Sequence, residues 1–227
     1  MEKIAALLIA AHAFGDFALQ PTWLVARRRQ LRYLVIHTGI HAILVYVILQ
    51  AWACWQASVV VFIAHTVIDW TKVRLPDATR WFVADQAAHI LVLMGVAWWL
   101  VASRLMTSFA GGGYQLLVLL GGFILTVRGA GFLVGKFAQH LAQANQLELN
   151  GLENGGKWIG LFERALIFVL IFIREPAGIG FLVAAKSILR FEEAKDQKLA
   201  EYVLIGTLLS FSLGIALSWL TRLAMNL

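Results

Sequence analysis

Residues 3–20 read KIAALLIAAHAFGDFALQ, from Lys3 to Gln20. An apolar run of this length is close to the roughly 20 residues that a helix needs to cross a bilayer. Yet it carries His12 and Asp16, four residues apart. On a helix, positions i and i+4 share one face. An ionisable group inside a membrane span is costly unless it has a partner or a task. The stretch therefore predicts a membrane helix with a functional polar face. It lacks a small-residue cleavage site, so it reads as a span rather than a removable signal.

The rest of the chain agrees. Of 227 residues, 60% belong to the AVILMFWYC set and 14% are charged, against about 45–50% and about 25% in soluble domains. Mean hydropathy is +0.77. A soluble globular domain and a disordered chain are both excluded. The single cysteine, Cys54, rules out an intrachain disulfide framework and any Cys-rich zinc or iron–sulfur site. Nine tryptophans and three prolines suit a helical membrane protein with aromatic belts. The net charge of +6 fits Lys and Arg in cytoplasmic loops better than a nucleic-acid partner, and none is expected.

Reading for apolar runs predicts an all-α integral membrane protein with seven or eight transmembrane helices. They lie at 3–20, 33–54, 57–72, 81–102, 115–135, 157–173, 177–191 and 201–221. The span at 177–191 either crosses or re-enters. Alternating spans put Arg27, Arg28, Arg29 and Arg32, then Lys72, Arg74 and Arg80, then Lys136 and Lys157, then Arg190, Lys195 and Lys198 on one side. The positive side is cytoplasmic, so both termini are expected outside the cytoplasm. The domain plan is a four-helix half at 1–110, a fifth span at 111–136, a cytoplasmic linker at 137–156 and a C-terminal helical half at 157–227.

The first four spans repeat the His/Asp spacing: His12 and Asp16, His37 and His41, His65 and Asp69, Asp85 and His89. At about 1.5 Å rise per residue, they fall in two layers, roughly 6 Å and 12 Å below the cytoplasmic surface. Asp16, His37, Asp69 and Asp85 form the shallow layer; His12, His41, His65 and His89 form the deep one. The topology came from Lys and Arg alone, so the agreement in depth is an independent check. The two hairpins, His-x3-Asp then His-x3-His, and His-x3-Asp then Asp-x3-His, make a weak internal repeat around a pseudo-two-fold axis. Spans one to four are thus expected to bundle around a polar, metal-type site near the cytoplasmic side.

Imidazole and carboxylate on facing helices suit a divalent transition metal, with zinc first and manganese or iron as substitutes. Eight candidate ligands exceed the needs of one ion, so one or two ions are expected. Asp16, Asp69 and Asp85 are also the candidate catalytic carboxylates. Gln20, Lys72 and Gln86 sit beside the ligands and are candidate substrate contacts. Arg164, Lys186 and Arg190 in the second half could form a wall that reads an anionic head group. The plainer alternatives are hydrogen-bonding groups near the interface, a proton or ion relay, and a Glu163 pair with Lys186 or Arg190 that only balances charge. The segment Asn150 to Lys157 is glycine-bearing but is not a Walker A loop.

The run His12-Ala13-Phe14-Gly15-Asp16-Phe17-Ala18-Leu19-Gln20-Pro21, with His37-x3-His41-Ala42, His65-x3-Asp69-x2-Lys72 and Asp85-Gln86-x2-His89, resembles bacterial membrane proteins of domain of unknown function 3307. The segments Ile159 to Arg164 and Ala184 to Phe191 resemble the C-terminal half of longer members. The resemblance implies a multi-pass protein of the bacterial inner membrane and assigns no activity. A looser similarity to bacterial membrane-bound metal-dependent hydrolases, which also place His and Asp on short spans, is an analogy.

Two functions compete. One is a membrane metal-dependent hydrolase acting on a phosphoester or similar anionic amphiphile at the cytoplasmic leaflet, so that a membrane lipid or amphiphile is the expected partner. The other is a metal-ion or proton-coupled transporter. A transport site lies nearer the midplane and continues as polar residues outward. The outer halves, Ile4 to Ala11, Leu44 to Leu49, Val59 to Ile63 and Leu91 to Leu100, are apolar, which favours the enzyme. A di-iron oxidase fits less well, because three ligands are aspartates and no His-x-x-His-His run is present. The sequence leaves oligomeric state open.

Overall fold

The computed structural model describes residues 1–109, 111–147, 152–189 and 197–226. Among them it holds helices and turns and no strand. The chain divides into two compact units, Met1–Ile124 with Leu223–Leu227, and Leu125–Arg222.

The first unit begins with α1, Glu2–Ala13, which widens into a π-helical turn over Phe14–Ala18. There Leu19 N–H reaches back five residues to the Phe14 carbonyl at 2.8 Å. Pro21 disfavours helical geometry in the residue before it, and a short helix, α2 (Thr22–Val25), starts just after it. Then come α3 (Leu31–Leu49), α4 (Trp55–Lys72), α5 (Thr79–Ala102) and α6 (Tyr114–Ile124).

Ile4, Leu7 and Leu8 of α1, Val45 and Ile48 of α3, Val61 of α4 and Leu93 and Leu100 of α5 pack into one buried cluster. Burying each such side chain stabilises a fold in water by about 1.5–3 kcal/mol; where lipid replaces water outside, packing contacts take over. Gly121 lets α6 approach α1, since a Cβ there would strike Ala10. Thr66 Oγ1 donates to Thr38 Oγ1 at 2.9 Å, a polar link between α4 and α3. Tyr114 donates to the Ala224 carbonyl at 2.7 Å and ties the last residues to this unit.

The second unit opens with another π-helical turn, Leu125–Gly129, followed by α7 (Ala130–Ala144), α8 (Gly155–Phe172), α9 (Ala177–Leu189) and most of α10 (Gln197–Met225). Ile167, Ile171, Ile179 and Phe211 form its apolar core. Because α7 runs to Ala144, the polar stretch at 137–156 starts as helix.

Four described helices are long and apolar enough to cross a membrane: Leu31–Leu49, Thr79–Ala102, Tyr114–Ala144 and Gln197–Met225. Large apolar side chains face outward, with Leu91 72% and Phe181 77% exposed. Water makes such a surface unfavourable, and hydrocarbon does not.

Candidate metal centre

All eight candidate ligands lie in one cluster inside the first unit. Seven of them, all but Asp16, are classed as buried. Four helices supply them in pairs, as the i, i+4 spacing predicts. The deep histidines form a ring. His41 and His65 stack at 3.8 Å between ring centres, His65 and His89 lie 4.0 Å apart, and His89 and His12 4.9 Å apart. His12 and His41 close the ring at 5.5 Å.

Asp16 reaches this ring from the π-helical turn. Its Oδ1 lies 3.2 Å from His41 Nε2, 3.3 Å from His37 Nε2 and 3.8 Å from His65 Nε2. The turn matters for this approach, since the His41 ring fills the space that a Cβ on Gly15 would occupy. Such wide turns recur at functional sites. Asp69 Oδ2 lies 3.2 Å from His37 Nε2, and its Oδ1 lies 3.8 Å from His89 Nε2. Asp85 Oδ1 lies 3.7 Å from His89 Nδ1.

The donor set fits a divalent cation. Asp16 Oδ1, His41 Nε2, Asp69 Oδ2, Asp85 Oδ1 and His89 Nε2 are buried and make no hydrogen bond. Buried polar atoms normally find a partner, and these atoms face one another. Three overlapping groups have ligand atoms all within 4.8 Å of each other: His12, Asp16, His41 and His65; His37, His65 and Asp69; Asp69, Asp85 and His89. Ligands at about 2.0 Å from a tetrahedral zinc stand roughly 3.3 Å apart. His37 and His65 present their Nε2 atoms to each other at 3.3 Å. His89 shows how one ligand is oriented: its Nδ1–H donates to the Asp85 carbonyl at 2.9 Å. That bond fixes the tautomer and turns the Nε2 lone pair into the cluster.

The three neighbours expected to meet substrate do adjoin the cluster. Gln20 Nε2 lies 3.3 Å from His37 Nδ1. Gln86 donates to Asp16 and to Asp85 at 3.1 Å each, and its carbonyl oxygen lies 3.3 Å from His12 Nε2. Lys72 pairs with Asp85.

Arg28 is the residue that sequence reasoning missed. It served there only as a topological charge among Arg27, Arg28 and Arg29. Its guanidinium lies 2.9 Å from His37 Nε2, 3.5 Å from Asp69 and 4.0 Å from Asp16. The signal that could have found it is Pro21, which allows the chain to turn back after Asp16.

Arg164 and Lys186 belong to the second unit, and Arg190 lies outside the described residues. Lys186 Nζ meets both Glu163 oxygens at 2.8 and 2.9 Å, the charge-balancing pair that was the plainer reading. Arg164 Nε donates to the Val127 carbonyl at 3.0 Å, and its Nη1 donates to Ser210 at 2.9 Å.

The sequence model of the family described as protein of unknown function DUF3307 matches residues 4–111. No curated protein and no solved structure matches the chain significantly. The matched stretch carries every one of the eight clustered side chains, together with Arg28, Gln86 and Lys72. The segments near 160 and 187 lie beyond it. Residues 4–111 of this chain are thus similar to that family, and the His/Asp cluster lies within the matched stretch.

Proposed function

We propose that the chain is an integral-membrane metal-dependent hydrolase that acts on a phosphoester or similar anionic amphiphile at the cytoplasmic leaflet. The observation that carries this reading is the set of buried, mutually facing imidazole and carboxylate atoms without hydrogen bonds. In this reading His12, Asp16, His41 and His65 hold one ion, zinc before manganese or iron. Asp69, Asp85 and His89 hold a second, and His37 lies between the groups. A divalent ion in such a site supplies Lewis acidity and a water acidified toward neutral pH.

The chain's own groups supply the rest. Arg28 and Lys72 are cations at the carboxylate layer, placed to hold an anionic substrate against the site. An Asp16, Asp69 or Asp85 oxygen that is not engaged as a ligand accepts the proton of the attacking water. Gln86 and Gln20 orient the carboxylates and His37.

A transporter built on the same cluster is the second reading. Beyond the deep histidine ring, however, the buried residues of α1, α3, α4 and α5 are apolar, from Leu8 and Ile4 to Val45, Val61 and Leu100. That is a closed end rather than a polar path. The proposed topology has eight spans: the four long helices, and α1, α4, α8 and α9 as short ones. Both termini then lie outside the cytoplasm of a bacterial inner membrane.

Elemental analysis of the purified protein tests the proposal, followed by hydrolysis of phosphomonoester and phosphodiester substrates with and without chelator. One or two zinc-class ions per chain and chelator-sensitive hydrolysis are expected. Protein that binds no metal would sink the enzyme and leave a proton or ion relay.

A further inference from the structure

The second unit contains a cleft of about 730 Å³ between its own helices. Its walls are partly glycine and aliphatic: Gly131, Gly135, Gly160 and Gly206 with Val127, Val134 and Ile159. Among the described residues, five cations line it, Arg128, Lys136, Lys157, Arg164 and Lys186, against the single carboxylate Glu163. That carboxylate is engaged at both oxygens by Lys186. Among the described residues no carboxylate is hydrogen-bonded to Arg164, which feels the Glu163 charge only at longer range and is 4% exposed.

A guanidinium has five N–H donors. The Val127 carbonyl and the Ser210 hydroxyl take two of them. Nη2 makes no hydrogen bond with any described residue, and Arg164 lines the cleft. Gly131 and Gly160 leave the room its head occupies: a Cβ would sit 2.6 Å from Nη2 at the first and 2.9 Å from Nη1 at the second. A buried cation with spare donors is costly unless an anion completes it. Arg128 and Lys157 are exposed on the same cleft, which adds positive potential at its rim.

We propose that this cleft is a binding site for the phosphate head group of an acidic membrane phospholipid. Its anionic oxygens accept from Arg164 Nη1 and Nη2, and its acyl chains lie along the glycine and aliphatic wall. A lipid is the occupant because the same cleft joins a cationic end to an apolar lining, in a chain with membrane-length helices. The site does not depend on the hydrolase reading, since it uses no residue of the His/Asp cluster.

The test uses the full chain in nanodiscs and reads retained lipid by native mass spectrometry, with phosphatidylglycerol against phosphatidylcholine. The wild type is expected to retain phosphatidylglycerol at least about tenfold better, because each basic residue near an anionic surface is worth roughly fivefold. Arg164→Gln should abolish that preference. If Arg164→Gln does not fold, the exposed pair Arg128→Ala with Lys157→Ala should remove most of the preference while the protein stays folded. Equal retention of the two lipids by the wild type overturns the proposal. So does a preference that survives the variants. Complete displacement of the lipid by millimolar inorganic phosphate overturns it too, by showing a site for a soluble anion. Metal content should be the same in all variants, which separates failure here from failure of the hydrolase reading.

Discussion

The two units solve the problem of buried charge in opposite ways. In the first, imidazole and carboxylate groups face one another: Asp16 Oδ1 and His41 Nε2 lie 3.2 Å apart, each buried. In the second, a donor is half satisfied: Arg164 spends two N–H groups on Val127 and Ser210 and keeps the others toward a cleft. The first arrangement attracts a cation and the second an anion. Buried polarity in one chain therefore has no single meaning; the direction of the lone pairs decides it.

The sharpest way to break this contrast is Asp69→Ala. Asp69 belongs to two of the three ligand groups. The variant should lose both metal and hydrolysis, by more than about a hundredfold, the upper end for residues that merely orient ligands. Elemental analysis and turnover measure it, and retention of full metal would remove Asp69 from the site.

Gln86→Ala comes next. Gln86 holds Asp16 and Asp85 but is in none of the ligand groups. Metal affinity should fall about 10–100-fold, read by competition with a fluorescent zinc chelator. Unchanged affinity would mean that the carboxylates are held by their helices alone.

Lys186→Ala addresses the second unit. It leaves Glu163 without its partner, and its side chain is partly wet at 19% exposure. A loss of about 1–2 kcal/mol is expected after allowing for solvent screening, seen as a lower thermal midpoint at unchanged metal content. Adding Glu163→Gln should recover most of it. If Lys186→Ala strips the metal, the two regions are one folded unit and the contrast fails.

The smallest effect is expected of Arg28→Ala. Its charge lies 4.0 Å from Asp16 and 3.5 Å from Asp69, and after the desolvation cost of a nearly buried pair the net worth is about 1 kcal/mol. Removing a competing cation should tighten metal binding about fivefold while raising KM for an anionic substrate. Arg29→Ala, on an exposed neighbour, should change neither. A loss of metal in Arg28→Ala would make the guanidinium a support of the cluster rather than a competitor.

Much of the first unit is legible in its sequence because polar residues in apolar helices have few places to go. A pair spaced i, i+4 fixes a face, and Lys and Arg in the loops fix a depth. Together they bring His12, His41, His65 and His89 into one layer before any coordinate exists. Arg28 is not legible in the same way. Three consecutive arginines carry the same topological signal whether or not one of them folds back. The division at Leu125 is equally silent, because it falls within the apolar helical run Tyr114–Ala144 and no polar break marks it. The sequence groups Arg164 with Lys186 and Arg190 as an anion wall. The bonds of Arg164 to a π-turn carbonyl and a serine on α10 depend on contacts far apart in sequence.

The wide turn at Phe14–Ala18 makes the site sensitive to the length of the chain as well as to its composition. A π-helical turn carries one residue more than an α-helical turn. Deleting a single residue there would restore ordinary winding, because the wide turn absorbs the extra residue locally while the flanking helix keeps its facing. Ile4, Leu7 and Leu8 would stay on the apolar cluster, and the change would fall on the reach of Asp16 toward the histidines. Conversely, an ordinary helix with one residue inserted at this point gains the geometry that lets Asp16 meet four histidines from two other helices and its own. One inserted codon, with no new side-chain chemistry, separates a bundle with polar residues on it from a bundle with a site in it.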